Sequence, residues 1–68
     1  DSVITTSVKA KLVDDKTVDA AAISVETLKG TVMLSGFAKS SAEKTTAERR
    51  AYEVKGVKSV HNAIVVRS

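Results

Sequence analysis

The sequence predicts an α+β domain in which two helices pack on one face of a three-stranded mixed sheet, in the order α-β-β-α-β. Two segments repeat apolar residues at helical spacing, three alternate at strand spacing, and 68 residues suffice for one core only. The chain has no cysteine and one histidine, His61, so disulfides and a metal cluster are not expected to support the fold. We therefore expect residues 1–68 to form a single domain without metal or cofactor. The strand order stays open.

The first helix is predicted over residues 2–13. The residues that share its apolar face are Ile4, Val8 and Leu12. Either Asp1 or Ser2 can accept a hydrogen bond from the first unpaired amides of the helix. Asp14 and Asp15 follow at the negative end of the helix dipole, where carboxylates disfavour further helix. We expect the helix to end at this polar turn.

A β-hairpin is predicted from the two segments that follow, residues 22–28 and 31–38, which both alternate with a period of two. Lys29 and Gly30 separate them, and a glycine suits a tight turn in which φ must be positive. Gly36 interrupts the second strand. A glycine in a strand marks a close approach, and we expect it to pack against a helix.

A second helix is predicted over residues 41–55. Ser40 and Glu43 form a capping box, in which Ser40 accepts from the Glu43 amide and the Glu43 carboxylate returns to the cap. Its apolar stripe consists of Ala47, Ala51 and Val54. Gly56 is the expected left-handed residue after the helix. Residues 57–66 are rich in valine and isoleucine and predict the third strand. On that strand one face is shared by Val60, Asn62, Ile64 and Val66.

The combined spacing of these segments resembles the BON domain, a family named for bacterial osmotically inducible and nodulation proteins. The likeness covers essentially the whole chain. It is carried by Asp1, Ile4, Val8-Lys9 and Leu12, by Ile23-Ser24-Val25, by Gly30-Thr31-Val32-Met33-Leu34-Ser35-Gly36 and by Gly56-Val57-Lys58-Ser59-Val60-His61-Asn62-Ala63-Ile64-Val65-Val66. The resemblance implies the α-β-β-α-β fold, a periplasmic location in the bacterial envelope, and an association with osmotic and envelope stress. It also implies tandem repeats or weak self-association, partners among phospholipids or envelope proteins, and no catalytic residues.

Enzymatic chemistry finds little support in the residues themselves. His61 alternates out of phase with Val60 and Ile64 and is expected to face solvent, with no motif that ties a carboxylate to it. An acidic loop holds three aspartates, but it lacks the central glycine and final glutamate of a calcium loop. We expect this loop to be solvated. The aspartates are Asp14, Asp15 and Asp19.

The second half of the chain is basic, because residues 39–68 hold seven cationic and three acidic side chains. Nucleic-acid binding is not expected, since the two aromatic residues, Phe37 and Tyr52, leave few stacking platforms. An aromatic ring beside cations suits a headgroup layer instead. We therefore predict contact with an anionic phospholipid surface. The predicted lipid-binding residues are Arg49, Tyr52, Lys55 and Lys58.

A second hypothesis of a different class uses the sheet face opposite the helices. Met33, Phe37 and Val65 are out of phase with the core residues of their strands, and exposed apolar patches often mark partner surfaces. These residues would make the domain a protein-interaction or chaperone-like module. Burial within a core or a dimer explains the same pattern equally well.

Overall fold

The computed structural model describes residues 2–67, and of Ser2 only the backbone. Its elements are α1 (Ser2–Asp14), a short 3₁₀ helix (Ala20–Ala22), β1 (Ile23–Leu28), β2 (Thr31–Ala38), α2 (Ser41–Tyr52) and β3 (Ser59–Val66). The order and class agree with the α-β-β-α-β prediction. The predicted cap of α1 by Asp1 or the Ser2 side chain lies outside the described residues. In the part of the chain that is described, no helix is long and apolar enough to cross a bilayer.

The sheet has the order β1-β2-β3 and is mixed, as predicted. β1 pairs with β2 in antiparallel fashion, and β2 pairs with β3 in parallel. Helix α1 packs on β1, whereas α2 packs on β3 and β2. One face of the sheet is thus covered by helices, and the opposite face, called here the outer sheet face, carries no further layer of the described chain.

The core lies between the helices and the covered sheet face, and it contains most of the residues that periodicity predicted. Its members are Val8, Leu12, Val18, Ala20, Ile23, Val32, Leu34, Ala38, Ala47, Ala51, Val54 and Ile64. Helix α2 contributes only two alanines to it from within its own span. Because each methyl group buries little apolar area, the helix needs additional polar attachments to the rest of the domain.

Helix α2 ends at Tyr52, three residues before the predicted boundary at residue 55. The Glu53 amide is shared by the carbonyl oxygens of Arg49 and Arg50, both at 3.2 Å, and the Val54 amide bonds to Ala51 at 3.2 Å. These short-range bonds tighten the last turn, as is common where a helix leaves carbonyl groups unpaired. The tightening ends the α-helix early and places Val54 in the core.

Gly36 marks a close approach, as predicted, but its neighbour is the backbone at the end of the 3₁₀ helix and not the side of α1 or α2. A Cβ atom built on Gly36 would lie 2.0 Å from the carbonyl oxygen of Ala22, at the end of the 3₁₀ helix. Gly36 also has a φ of +118°. The glycine therefore admits the backbone that enters β1, and β1 begins at Ile23 because Ala22 belongs to the 3₁₀ helix.

Candidate functional site

The first glutamate of α2, Glu43, is buried, and its carboxylate forms hydrogen bonds within the domain. Ser40 accepts from the Glu43 amide at 3.1 Å, which confirms half of the predicted capping box. The Glu43 carboxylate does not return to the cap residue. It accepts from the amides of Asp19 and Lys39, both at 3.0 Å, and these bonds lower its pKa. Glu43 thus fastens α2 to the segment that follows α1 and to the end of β2.

The other two glutamates of this region also have partners within the domain. Glu48 accepts from the Asn62 amide group of β3 at 3.2 Å. Glu53 accepts from Arg50 at 3.0 and 3.2 Å and from Lys11 at 3.4 Å. The bond from Arg50 is the main reason that the pKa of Glu53 is lowered. All three glutamates are therefore engaged in holding α2 in place.

The acidic loop is not simply solvated, because Asp15 joins the end of α1 to α2. Its carboxylate accepts from the hydroxyl and amide of Thr17, at 2.6 and 2.9 Å, and from Nε of Arg50 at 2.8 Å. The Thr17 hydroxyl first, and Arg50 next, lower the pKa of Asp15 to about 2. No group of three residues suited to a metal ion occurs among residues 2–67.

The cations of the predicted lipid-binding set differ from Arg50 in their surroundings. Arg49, Lys55 and Lys58 are exposed. Within residues 2–67 none of the three forms an ion pair, whereas Arg50 is bound by both Asp15 and Glu53. Glutamates alternate with these cations in the sequence, but the structure directs them to partners inside the domain. Within residues 2–67, Arg49, Lys55 and Lys58 are thus left without a counter-ion.

Tyr52, the aromatic member of the same set, also has a structural partner. It is half exposed at the end of α2, and its hydroxyl accepts from the Val60 amide at 3.2 Å. The ring therefore borders the edge of β3. Lys58 lies on the other side of the following loop, where its amide donates to the Gly30 carbonyl at 2.8 Å. This contact brings the hairpin turn beside the cationic loop, which strand periodicity alone does not reveal.

The outer sheet face has the composition that the second hypothesis requires. Met33 and Phe37 are each 46% exposed and Val65 is 52% exposed. Phe37 and Val65 are direct neighbours in the β2–β3 register, and the Arg67 guanidinium lies 4.4 Å from the Phe37 ring centroid. Arg67 was not among the predicted site residues. Its position two residues after Val65, on the same face of an extended chain, is the signal that could have identified it.

The single histidine is exposed on this outer face, as predicted, opposite Met33 in the register. None of the carboxylates of residues 2–67 forms a hydrogen bond with His61. Acid–base catalysis requires a positioned partner for such a group. In the described part of the chain, His61 therefore has no carboxylate positioned for acid–base catalysis.

Comparisons with known proteins agree with this description. The chain is 45% identical over 62 residues to osmotically-inducible protein Y of Escherichia coli (strain K12), an alignment that covers 91% of this chain and 31% of that protein. The C-terminal domain of CdsD, the structural protein of the type III secretion system of Chlamydia trachomatis, has the same fold, with a TM-score of 0.80 at 20% identity. That match covers 98% of this chain and 33% of the other. The chain thus spans about a third of either relative. Since the family model for the BON domain matches residues 1–68, the chain belongs to the BON domain family.

Proposed function

We propose that this domain is a non-catalytic binding module of the bacterial envelope, located in the periplasm and active in osmotic or envelope stress, that makes weak and reversible contact with anionic phospholipid surfaces. Membership of the BON family and the 45% identity to an osmotically-inducible protein support the setting. The contact surface in this proposal consists of Arg49, Lys55 and Lys58. Tyr52 borders that surface with its ring and not with its hydroxyl, which is occupied by Val60.

One observation carries the lipid proposal. Arg49, Lys55 and Lys58 lack an ion pair within residues 2–67, while the nearby Arg50 and Lys11 are bound to carboxylates. A cation that already has a counter-ion in the domain loses that bond when it turns to a phosphate. A cation without one loses only water, so its attraction to phosphate is undiminished.

The expected strength follows from the number of charges. A basic side chain near an anionic membrane surface contributes about 1 kcal/mol, and the attraction declines within a Debye length of roughly 8 Å at physiological salt. Three such residues hold the domain weakly and reversibly. The binding should therefore decrease steeply when salt is added.

Flotation with vesicles tests this proposal. The wild-type domain should float with vesicles that contain phosphatidylglycerol and remain in solution with vesicles of pure phosphatidylcholine. The variant in which Arg49, Lys55 and Lys58 are replaced by glutamate should no longer float. A matched control has the same charge change at the opposite end of the domain, through Lys16→Glu, Lys39→Glu and Arg67→Glu.

The control separates local contact from overall charge. All three control residues are exposed, and they follow α1, β2 and β3 at the end of the domain away from the hairpin turn. Retained flotation of the control, together with loss in the first variant, supports the proposed surface. Equal loss in both variants would show that net charge alone decides, and the proposed surface would be wrong.

The outer sheet face favours a second function, the capture of an apolar segment of an unfolded envelope protein in the manner of a chaperone. The supporting observation is the row of exposed apolar residues beside Arg67, which offers both apolar contact and a cation. Phe37→Ser should reduce the ability of the domain to delay aggregation of reduced α-lactalbumin, while the Arg49, Lys55 and Lys58 variant should retain it. Sedimentation of the domain alone reports whether this face self-associates instead. An unchanged delay with Phe37→Ser would refute this function.

A further inference from the structure

The hairpin turn, the loop before β3 and the first turn of α1 meet at one end of the molecule. The Gly30 carbonyl accepts from the Lys58 amide at 2.8 Å, and a Cβ atom on Gly30 would lie 3.0 Å from the aliphatic stem of Lys58. On the other side of the same loop, a Cβ atom on Gly56 would lie 3.2 Å from Cδ1 of Ile4. We call this region the hairpin end and define it by Leu28, Lys29, Lys55 and Lys58.

The hairpin end displays a large apolar side chain that the fold does not use. Leu28 is 71% exposed, while Leu12 and Leu34 are completely buried in the core. It belongs to an open recess of about 580 Å³ at the outer side of the turn. The recess is lined by Glu26, Thr27, Leu28, Lys29, Thr31 and Met33. An exposed leucine contributes little to folding, and its apolar surface is free to be buried on binding.

The turn residue next to Leu28, Lys29, is also an unusual choice for its position. Lys29 has a φ of +52° and Gly30 a φ of +83°. Two successive positive φ values characterise a tight hairpin turn whose first position is normally occupied by asparagine, aspartate or glycine. Lysine is a disfavoured choice in that conformation. The turn therefore places a cation at the tip of the domain despite local backbone strain.

We propose that the hairpin end is the part of the domain that enters the membrane, so that the domain stands end-on on an anionic bilayer. Leu28 inserts at the boundary between headgroups and acyl chains, while Lys55 and Lys58, which form no ion pair within residues 2–67, contact the lipid phosphates. This arrangement rests on the proposed lipid function and adds its orientation and its apolar anchor. Met33 lines the same recess as Leu28 and approaches the headgroups in this arrangement, whereas Phe37 and Val65, farther along the outer sheet face, remain open to solvent.

Charge complementarity favours a bilayer over a nucleic acid or a protein groove as the occupant. An exposed leucine next to a turn that contacts Lys58 matches the layered chemistry of a membrane interface, in which an apolar interior lies beneath a layer of phosphates. A phosphate backbone offers Leu28 no apolar surface. The four residues that define the hairpin end include no aromatic ring that could stack on a base.

The absence of tryptophan from the chain allows a direct test. Leu28→Trp introduces a single tryptophan at the hairpin end, whose emission can be excited apart from that of Tyr52. Val13→Trp and Phe37→Trp are matched controls, since Val13 is 64% exposed late in α1 and Phe37 lies on the outer sheet face. With phosphatidylglycerol vesicles, only the Leu28→Trp variant should shift its emission to shorter wavelengths and be quenched by lipids brominated near the headgroup.

A second variant removes the anchor without adding a probe. Leu28→Ser should weaken partitioning into the same vesicles by about tenfold, the effect of losing one partly buried leucine side chain. Its circular dichroism and thermal unfolding should match those of the wild type, because Leu28 contributes little to the core. If Leu28→Ser has a lower unfolding temperature than the wild type, the partitioning of the two proteins is compared well below both unfolding temperatures, where both are folded.

The outcomes separate this inference from the function on which it rests. If the wild-type domain does not bind anionic vesicles at all, both are wrong. If it binds and charge reversal abolishes binding, while the fluorophore of Leu28→Trp stays in water and Leu28→Ser binds normally, only the end-on insertion is wrong. An emission shift in Phe37→Trp in place of Leu28→Trp would assign the membrane contact to the outer sheet face and overturn the hairpin inference.

Discussion

The hydroxyl of Tyr52 accepts a hydrogen bond from the backbone amide of Val60 at 3.2 Å, and so α2 occupies a donor on the open edge of β3. The Ile64 amide on the same strand is likewise taken by Asn62 Oδ1 at 3.1 Å. Unpaired amides on an edge strand invite pairing with another chain. By occupying two of them, the side chains leave fewer amides on the β3 edge for pairing with another chain.

On the β1 side, α1 makes polar contacts of a related kind. Lys9 Nζ donates to the carbonyl oxygens of Ala20 and Ile23, both at 2.6 Å. Further along the strand, the Thr5 hydroxyl donates to the Thr27 hydroxyl at 2.8 Å. Each helix thus contacts the edge strand beneath it with polar side chains.

Removing the tyrosine hydroxyl should expose the β3 edge while keeping the ring. We expect Tyr52→Phe to lower the free energy of unfolding by about 0.5–1 kcal/mol, the net value of one solvent-accessible hydrogen bond. Urea denaturation measures this loss. Hydrogen exchange at the Val60 amide should become faster, while exchange at the core amide of Leu34 should change only by the global loss. Unchanged exchange at Val60 would show that the hydroxyl does not protect this edge.

Replacing Glu43 tests whether one buried carboxylate holds α2 to the sheet. Glu43→Ala leaves the Asp19 and Lys39 amides without their charged acceptor, and we expect a loss of about 3 kcal/mol in unfolding free energy. Glu43→Gln retains one acceptor oxygen, so its loss should be smaller. Glu48→Gln serves as a control, because Glu48 has one side-chain partner, Asn62, and lies nearer the surface. Equal effects of Glu43→Ala and Glu48→Gln would contradict the assignment.

Periodicity and capping signals predicted the elements, because those signals lie within a few residues of what they describe. Ser40 is followed three residues later by the amide that it binds, and the core positions of α1 recur every turn. The 3₁₀ helix at Ala20–Ala22 carries no such signal, since three alanines are compatible with helix and strand alike.

The contacts that define the candidate surfaces join residues far apart in the chain and could not be predicted in the same way. Glu43 binds an amide 24 residues away, and Arg50 binds Asp15 across 35 residues. These long-range contacts determine which cations remain without a counter-ion. The sequence could therefore indicate a basic half of the chain, but not that Arg50 is neutralised while Arg49 is not.

The Asp15 carboxylate should make stability depend on pH in the acid range. Its pKa falls from 3.8 to about 2 on folding, so the unfolded chain takes up the proton first as pH decreases. The contribution of Asp15 is therefore complete above roughly pH 5 and is lost as pH falls through 3.8 towards 2. Asp15→Asn should unfold at a lower temperature than the wild type at pH 7. This difference should shrink as the pH approaches 2.

Carbon-13 NMR of the Asp15 carboxyl group measures the titration directly. A midpoint near 2 is expected in the wild type, moving upwards in Thr17→Val, because the Thr17 hydroxyl is the largest cause of the lowered pKa. Arg50→Gln should also raise the midpoint. A midpoint near 3.8 in the wild-type domain would show that this carboxylate is solvated, as the acidic composition of the loop suggested.

Two glycines with positive φ provide a matched test of the close approach between β2 and the start of β1. Gly36→Ala combines a φ of +118° with a Cβ atom 2.0 Å from the rigid Ala22 carbonyl, so the strands must move apart. Gly56→Ala has a φ of +97°, but its Cβ atom would meet only the flexible end of the Ile4 side chain at 3.2 Å.

We expect the free energy of unfolding to fall by about 3 kcal/mol or more in Gly36→Ala and by about 1–2 kcal/mol in Gly56→Ala. Urea denaturation of both variants gives the comparison, and equal losses would mean that backbone conformation alone, and not the Ala22 contact, requires glycine at position 36.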